Sequence, residues 1–251
     1  MKRRSIGLDI GGTGIKAAVV DTRKGVLSSE RIRVETPAGG EPEEIAAASL
    51  EIINQLDPNR KRSVGICFPA VVKHGFTQSA ANVSQRWIGL NADHLFSHAM
   101  GRQVHVINDA DAAGVAEVNF GASEGQKGLT IMTTLGTGIG TALFFNGKLI
   151  PNAELGHLQI EGVDYESKAS YSAMERENLS FEEWAKRLQR YYSTLEALLV
   201  PDLIIVGGGI SKQHEKFLPL LDLKTRIVPA QTRNNAGIIG AAVLANRTFE
   251  K

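Results

Sequence analysis

The sequence predicts an α/β protein made of two similar halves. Short apolar runs alternate with longer amphipathic runs along the 251 residues, which is the pattern of strands and helices. The segment Gly12-Thr-Gly-Ile15 recurs as Gly136-Thr-Gly-Ile139, an offset of 124 residues (136 − 12). Each copy precedes an apolar run and a further glycine turn. Because the offset is close to half the chain, the repeat indicates a duplicated domain.

Composition excludes several classes of protein. The net charge is +1, so no global attraction draws the chain to nucleic acid or to a membrane surface. No window approaches the ~18 apolar residues of a membrane span. The only cysteine, Cys67, lies in an apolar run, so we expect a buried structural thiol, no internal disulfide and no multi-cysteine zinc site. A single thiol also fits a reducing cytoplasm.

The first half is predicted to open with strands joined by glycine turns. An antiparallel meander would be followed by alternating helices and strands. Pro42 near a helix start and apolar residues at helical spacing support the first helix. The predicted strands are 5–10, 15–21, 25–34, 62–68, 71–78 and 104–107, and the predicted helices are 41–56, 92–100 and 108–120.

The second half repeats this opening. Its clearest helix is 180–199, where Ser180 and Glu183 form a capping-box pattern. The predicted strands are 129–134, 139–145, 148–150, 203–206 and 223–228, and further helices are predicted from Ser211 and over 235–246. We therefore expect an N-terminal domain of residues 1–107 with about 235–251, and a C-terminal domain of 108–234.

The glycine turns are candidates for binding phosphate. A tight turn exposes backbone N–H groups, and a threonine adds a hydroxyl donor. An ordinary hairpin remains the alternative for each turn alone, while a dinucleotide-binding fingerprint is disfavoured because a strand follows. Asp9, before the first turn, could hold hydrated magnesium or only cap the turn. The strand-to-helix turn Gly207-Gly-Gly209 could contact a nucleotide or simply connect two elements.

Polar residues at strand ends are the candidates for catalysis. Asp109 follows a buried strand, where it could act as a general base for phosphoryl transfer to a hydroxyl. Asn108 or Asp109 could equally be the N-cap of the next helix. Glu154 and His157 could bind the hydroxyls of a polyol, although His157 alone could be structural, and a zinc site would need more ligands.

Five motifs taken in order resemble the sugar kinases of the repressor/open-reading-frame/kinase (ROK) family. The motifs are Asp9-Ile-Gly-Gly-Thr13, Asn108-Asp109, Leu135-Gly-Thr-Gly138, Glu154-Leu-Gly-His157 and Val206-Gly-Gly-Gly209. The resemblance implies a duplicated ribonuclease-H-like fold of the actin–hexokinase superfamily, with two domains, an interdomain cleft and a homodimeric assembly. It covers nearly the whole chain.

The resemblance also implies a role for each matching residue. Asp109 corresponds to the general base that accepts the proton of the sugar 6-hydroxyl, and Mg²⁺ accompanies the phosphoryl donor. The implied sugar-binding residues are Asn82, Asn108, Asp109, Glu154, His157 and Glu166. The implied donor-binding residues are Gly12, Thr13, Gly136, Thr137, Gly138, Gly207, Gly208 and Gly209. Further donor-binding candidates lie in or next to these turns, and they are Asp9, Gly11, Gly14, Lys16 and Lys212.

Two departures from the family pattern narrow the resemblance. Residues 156–172 hold no cysteine, so the zinc loop of many members is missing, and no helix-turn-helix pattern precedes the first strand. Such a compact chain is most similar to the bacterial polyphosphate glucokinases. These phosphorylate glucose, in some cases mannose, from polyphosphate and often ATP. A polyanion needs local cations, and the candidates are Lys16, Arg86, Lys186, Arg187, Arg190, Lys212 and Arg233.

Three alternatives stay open at this point. One is a strictly ATP-dependent glucokinase or a kinase of another hexose. Another is a non-catalytic sugar sensor, which would not need Asp109 and both phosphate turns. The third is a chaperone-like or filament-forming ATPase, which would not need Glu154 and His157.

Overall fold

The structure is a computed structural model and describes residues 4–249. Its strands are β1 (Arg4–Gly11), β2 (Gly14–Asp21), β3 (Val26–Leu27), β4 (Ile32–Val34), β5 (Val64–Phe68), β6 (Val72–Lys73), β7 (Phe76–Thr77), β8 (Val104–Asn108), β9 (Leu129–Leu135), β10 (Ile139–Phe145), β11 (Lys148–Ile150), β12 (Gln159–Ile160), β13 (Val163–Asp164), β14 (Leu203–Gly207) and β15 (Arg226–Pro229). Its helices are α1 (Pro42–Leu56), α2 (Ala92–Met100), α3 (Asp109–Phe120), α4 (Glu166–Ala169), α5 (Tyr171–Arg176), α6 (Phe181–Leu199) and α7 (Ala236–Phe249).

The chain divides into two compact units. Residues 4–116 together with 235–249 form the first unit, and residues 117–234 form the second. Residues 108–116, which we predicted to open the second half, therefore lie in the first unit. The start of α3 packs closely on α7 there, since a Cβ built on Gly240 would lie 1.7 Å from the carbonyl oxygen of Ala112.

The first unit is built on a six-stranded sheet. The strand order is β3-β2-β1-β5-β8, with β4 also beside β2. The β1–β2 pair is an antiparallel hairpin, whereas β5 and β8 run parallel to β1. Register places Asp9 level with Cys67, and Cys67 level with Ile107. The carboxyl ends of β1, β5 and β8 therefore share one edge, where ligands of such sheets usually bind.

The core of this unit contains a cluster of aromatic rings under the sheet. Phe68, Trp87 and Phe96 are fully buried, and the rings of Phe68 and Trp87 lie 4.4 Å apart between centroids. The buried indole N–H of Trp87 donates to the carbonyl of Gly40 at 2.9 Å, so no polar group of this ring is left unpaired.

The second unit repeats the same sheet topology. Its strand order is β11-β10-β9-β14-β15, with an antiparallel β9–β10 hairpin and β14 and β15 parallel to β9. The hairpin followed by a parallel strand is the arrangement of β1, β2 and β5. The predicted duplicated α/β fold is thus confirmed.

Helix α6 supplies much of the core of the second unit. Trp184, Tyr191 and Tyr192 on one face are fully buried. At its start the Ser180 and Glu183 side chains bond each other's backbone N–H groups, which confirms the predicted capping box. The hydroxyls of Thr133 and Tyr192 lie 2.7 Å apart, so the buried phenol is hydrogen-bonded.

Several predicted elements differ from the observed ones. The strand predicted over 25–34 is two short strands, and that over 71–78 is a hairpin turning at His74 and Gly75, both with positive φ. The helix predicted from Ser211 is wrong, because residues Gly209–Lys216 form a 3-10 run with non-helical backbone at Gln213. Helices α4 and α5 were not predicted.

None of the helices within residues 4–249 has both the length and the apolar character that crossing a bilayer requires.

Candidate functional site

The first glycine turn joins β1 to β2 and presents an exposed tip. Gly12 and Thr13 are exposed, while Gly11 and Gly14 pair across the hairpin. Two side chains fix the turn from outside. The Thr36 hydroxyl donates to the carbonyl of Gly11 at 2.5 Å, and the Arg33 guanidinium donates to that of Thr13 at 3.2 Å. With the carbonyls of Gly11 and Thr13 already bonded, the tip is suited to an anion.

Asp9 lies just before this turn among charged and polar neighbours. The ammonium group of Lys16 is 3.5 Å from one carboxylate oxygen, and the Cys67 thiol donates to the other at 3.4 Å. Burial, and then the charges of Asp9 and Asp109, raise the pKa of the Cys67 thiol. Cys67 is buried, as the sequence predicted, and a raised pKa makes it a poor nucleophile.

Asn108 and Asp109 both contribute side-chain oxygens to the cap of α3. The Asn108 carboxamide oxygen accepts from Ala110 N–H at 2.9 Å and Asp111 N–H at 3.1 Å, so Asn108 is the main cap of α3. Its amide nitrogen donates to the carbonyl of Ala70 at 3.1 Å, so one N–H of this buried amide is left for a ligand. Asp109 is exposed at the helix start, and one oxygen of its carboxylate also accepts from Ala110 N–H at 2.8 Å.

Asn82 belongs with the first turn. Its Cβ lies 3.4 Å from where a Cβ on Gly12 would stand. A side chain at position 12 would therefore crowd Asn82. The first unit brings the turn, Asp9, Lys16 and Asn82 to the same edge of its sheet as Asp109.

The second glycine turn, between β9 and β10, is covered by a carboxylate. Glu166 accepts a hydrogen bond from Ile139 N–H at 2.7 Å, and a Cβ built on Gly138 would lie 2.4 Å from the same oxygen. The Ser172 hydroxyl donates to the carbonyl of Thr137 at 2.6 Å. Thr137 remains exposed at the tip, as Thr13 does in the first unit.

Glu154 precedes a short 3-10 turn, Leu155–His157, that ends in His157 and packs against β10. Only glycine fits at position 156, because a Cβ there would lie 2.0 Å from the carbonyl oxygen of Ile139. This close approach brings both side chains near the start of β10, and their charges interact with that of Glu166.

The two side chains have different electrostatic settings. Burial raises the pKa of the Glu154 carboxyl, while the charge of His157 opposes the rise. The hydrogen bond that Nδ1 of the exposed His157 donates to the Asp164 carboxylate, 2.9 Å away, raises the pKa of this imidazole. The imidazole is thus oriented by one carboxylate and keeps its second nitrogen for a ligand.

The third glycine turn rests directly on the second. Gly208 has φ of +84°, and a Cβ there would lie 2.1 Å from the carbonyl oxygen of Leu135. Ser211 bonds back to the carbonyl of Gly208 at 2.8 Å. Beside this turn is an open pocket of about 440 Å³ lined by Ser211, Lys212, His214, Pro229, Ala230, Gln231 and Arg233.

The other predicted cations lie in different settings. The prediction of Arg86 as a cation available to phosphate is wrong, because its guanidinium forms ion pairs with Glu41 and Glu43 at 2.9 Å and 2.8 Å. Arg187 and Arg190 pair with Glu177 and Glu161, as solvated helix faces commonly do. Of the predicted cations, Lys16, Lys212 and Arg233 lie beside the glycine turns or the pocket.

Sequence reasoning missed Arg33 at the first turn. Its guanidinium lies 2.9 Å from the position of a Cβ on Gly14. The signal was weak, since Arg33 falls in a run that was predicted as one long strand. Only the pairing of β4 with β2, which sets Arg33 opposite Lys16, places it near the turn.

The repeated sheets, each with a glycine turn at its edge, define a protein of the actin–hexokinase superfamily. Within that class, the chain belongs to the ROK family, whose profile matches residues 5–177. The resemblance drawn from the five motifs is thereby confirmed.

Individual relatives cover almost the whole chain. Polyphosphate glucokinase of Mycobacterium tuberculosis is 42% identical over 96% of this chain and 91% of its own length. The solved inorganic polyphosphate/ATP-glucomannokinase of Arthrobacter sp. strain KM is 50% identical, with a TM-score of 0.92 over 99% of this chain and 100% of that one. A ROK family glucokinase of Streptomyces griseus, solved with glucose and AMPPNP, is 25% identical with a TM-score of 0.81, over 97% and 99%.

Proposed function

We propose that this protein is a kinase that phosphorylates glucose at the 6-hydroxyl from inorganic polyphosphate or ATP. The observation that carries the proposal is the placement of Asp109, an exposed carboxylate one residue past a buried strand. It lies on the sheet edge that also holds an exposed glycine turn. The full-length similarity to polyphosphate glucokinase and to the glucomannokinase supports this choice of sugar and donors.

In the first unit, Asp109 acts as the general base. Its carboxylate accepts the proton as the sugar hydroxyl attacks phosphorus, and it orients that oxygen. Asn108 offers the sugar one amide N–H, and Asn82 contributes its carboxamide from beside Gly12. The turn Gly11–Gly14 holds the transferred phosphoryl group, with Lys16 adding positive charge.

In the second unit, Glu154, His157 and Glu166 bind sugar hydroxyls. A carboxylate accepts hydrogen bonds only, whereas the imidazole held by Asp164 can donate or accept through its second nitrogen. The turn Gly136–Gly138 and the turn Gly207–Gly209 bind the phosphates of the donor, with Lys212 next to them.

Magnesium is the cation we expect with the donor. Mg²⁺ keeps several waters and is usually held by one or two carboxylates plus substrate phosphates. Within residues 4–249, no three histidine, cysteine, aspartate or glutamate side chains are grouped to hold a metal. Asp9 is the carboxylate at the first turn and fits a water-mediated contact. The ion would offset charge on the donor phosphates.

Mannose as a second sugar and a homodimeric assembly stay predictions. Both come from the resemblance to the family and, for mannose, from the glucomannokinase. A sugar panel and light scattering of the purified protein test them separately.

The deciding experiment follows glucose 6-phosphate formation with Mg²⁺ and either polyphosphate or ATP. We expect turnover with polyphosphate, and we expect Asp109→Asn to lose at least about a hundredfold in kcat, which is the usual contribution of a general base. Glucose binding measured by calorimetry should persist in the variant, because the amide keeps the shape of the side chain.

Two results would contradict the proposal at different points. Turnover with ATP alone would leave the sugar kinase and remove polyphosphate as donor. Near-normal turnover of Asp109→Asn would remove Asp109 as the base. Sugar binding without turnover of any tested hexose would favour the sensor instead.

A further inference from the structure

One wall of the pocket beside the third glycine turn is the 229–233 loop, which runs from the last residue of β15 to the first residue of a 3-10 turn, Arg233–Asn235. The loop contains Pro229, Ala230, Gln231 and Arg233, opposite Lys212 on the 3-10 run. Three cationic or imidazole side chains, Lys212, His214 and Arg233, line the same space. A polyphosphate chain or the triphosphate of ATP leaving the turn Gly207–Gly209 would meet these groups first. The position of this loop therefore sets the geometry of donor binding.

Besides the backbone bond from Ala230 N–H to the carbonyl of Val206 at 2.9 Å, a buried carboxylate holds this loop. Glu117 in α3 is fully buried, and one of its oxygens accepts three hydrogen bonds from the loop. The donors are the N–H of Gln231 at 2.9 Å, the N–H of Thr232 at 2.7 Å and the Thr232 hydroxyl at 2.5 Å. The loop lies more than 100 residues further along the chain, and these three hydrogen bonds connect it to α3.

The second oxygen of Glu117 anchors the carboxylate itself. It accepts a hydrogen bond from Ala122 N–H at 2.8 Å, just after the end of α3. Gly121 leaves room for this bond, since a Cβ there would lie 2.2 Å from the same oxygen. With four donors, both carboxylate oxygens are used, which is what a buried charge requires.

We propose that Glu117 is a positioning residue for phosphoryl-donor binding, acting through the 229–233 loop. The proposal rests on the proposed function, because it takes the pocket beside Lys212 as the place of the donor. Glu117 itself contacts neither donor nor sugar. Its carboxylate fixes Gln231 and Thr232, and so sets where the guanidinium of Arg233 stands in the pocket wall.

The substitution Glu117→Gln tests this role. A glutamine has nearly the same shape, but its NH₂ group cannot accept a hydrogen bond. This group must face either the three donors of the loop or the N–H of Ala122, so one of these two contacts loses its acceptor. We expect the KM for polyphosphate and for ATP to rise about tenfold, as when one charge-assisted hydrogen bond is lost. The KM for glucose and the kcat at saturating donor should stay within about twofold of the wild type.

Asp57→Asn is the matched control. Asp57 is a buried carboxylate of the first unit that accepts from Arg62 and Arg102 at 2.7–2.9 Å, away from the pocket residues. The variant Asp57→Asn should lower the unfolding midpoint as Glu117→Gln does, yet leave the KM for the phosphoryl donor unchanged. If both variants change donor KM equally, the effect is general destabilisation and the proposal fails.

A double-mutant cycle with Arg233→Gln tests the route through the loop. If Glu117 acts by placing Arg233, the two effects on donor KM should combine to less than their product. Independent multiplication would overturn the proposal. The rise in unfolding midpoint on adding tripolyphosphate provides a second readout that needs no turnover. We expect Glu117→Gln to lose this rise. If the wild type phosphorylates glucose but the variant keeps the rise, this inference fails while the proposed function stands.

Discussion

Asn108 shows how one residue can satisfy a structural and a functional pattern together. The strand-end motif predicted either a helix cap or a contribution to chemistry, and the structure gives most of its side chain to the cap. The neighbouring Asp109 is exposed and shares this cap, since its carboxylate also accepts from Ala110 N–H at 2.8 Å. From the sequence alone the two could not be separated, because an asparagine and an aspartate have similar preferences at N-cap positions.

His157 offers a direct test at the residue scale. Since the hydrogen bond that His157 donates to the Asp164 carboxylate raises the pKa of His157, Asp164→Asn should lower this pKa toward the ordinary imidazole value. An NMR titration of the imidazole ring protons measures it. Glu161→Gln is the control on the same hairpin, because Glu161 pairs with Arg190 instead, and it should leave the His157 pKa in place.

The sign of the linked stability change follows from the direction of the shift. A raised pKa means that the folded protein favours the protonated imidazole. The added stability is complete below the ordinary pKa of 6.5 and is lost as pH rises through the folded value. Asp164→Asn should flatten that part of the stability curve. An unchanged His157 pKa in this variant would contradict the assigned cause.

At the scale of elements, strong local signals predicted most of the fold. The helix α2 begins and ends where the sequence predicted, and so does strand β10. Elements whose limits depend on distant contacts were missed. Strand pairing is interrupted near residue 28 because the Ser29 hydroxyl, instead of a backbone carbonyl, accepts from Val19 N–H at 3.0 Å. No periodicity in the sequence reports such a replacement.

Gly208 allows a prediction about the third glycine turn as an element. Alanine there would adopt φ of +84° and also clash with Leu135, so both strain and overlap should destabilise the protein. Gly125→Ala is the matched control, since Gly125 has φ of +73° but open space around its Cβ position. We expect the control to lose about 1–2 kcal/mol of unfolding free energy.

Gly208→Ala should lose clearly more, by at least about 2 kcal/mol beyond the control, because the overlap is with backbone atoms that cannot rotate away. Denaturant unfolding of both variants gives the comparison. Since the turn rests on the second glycine turn, donor KM should also rise in Gly208→Ala. Equal losses in the two variants would mean that the contact with Leu135 relaxes freely.

At the scale of the whole molecule, duplication was visible in the sequence because both copies keep the same turn. A hairpin that must expose its backbone needs Gly-Thr-Gly in each sheet, so the constraint appears twice in the chain. Glu117 and Arg33 carried no such signal. Each acts on a segment distant in sequence, and a lone charged residue on a predicted helix or strand is most often a solvated side chain.

The balance of charge over the molecule leads to a prediction about salt. With a net charge of +1, the chain as a whole does not attract a polyanion, so attraction must come from local cations such as Lys212 and Arg233. Raising NaCl from about 50 mM to about 300 mM should therefore increase the KM for polyphosphate and leave that for glucose nearly constant.

The same cations should determine how steep this dependence is. For a flexible polyanion, the slope of log KM against log salt falls by roughly 0.7 for each cation removed from the contact. Lys212→Gln and Arg233→Gln should each reduce the slope. Arg190→Gln, which removes an equal charge already paired with Glu161, should not. A slope that falls equally in all three variants would mean that polyphosphate senses only total charge, and it would remove the pocket beside Lys212 as the local site of attraction.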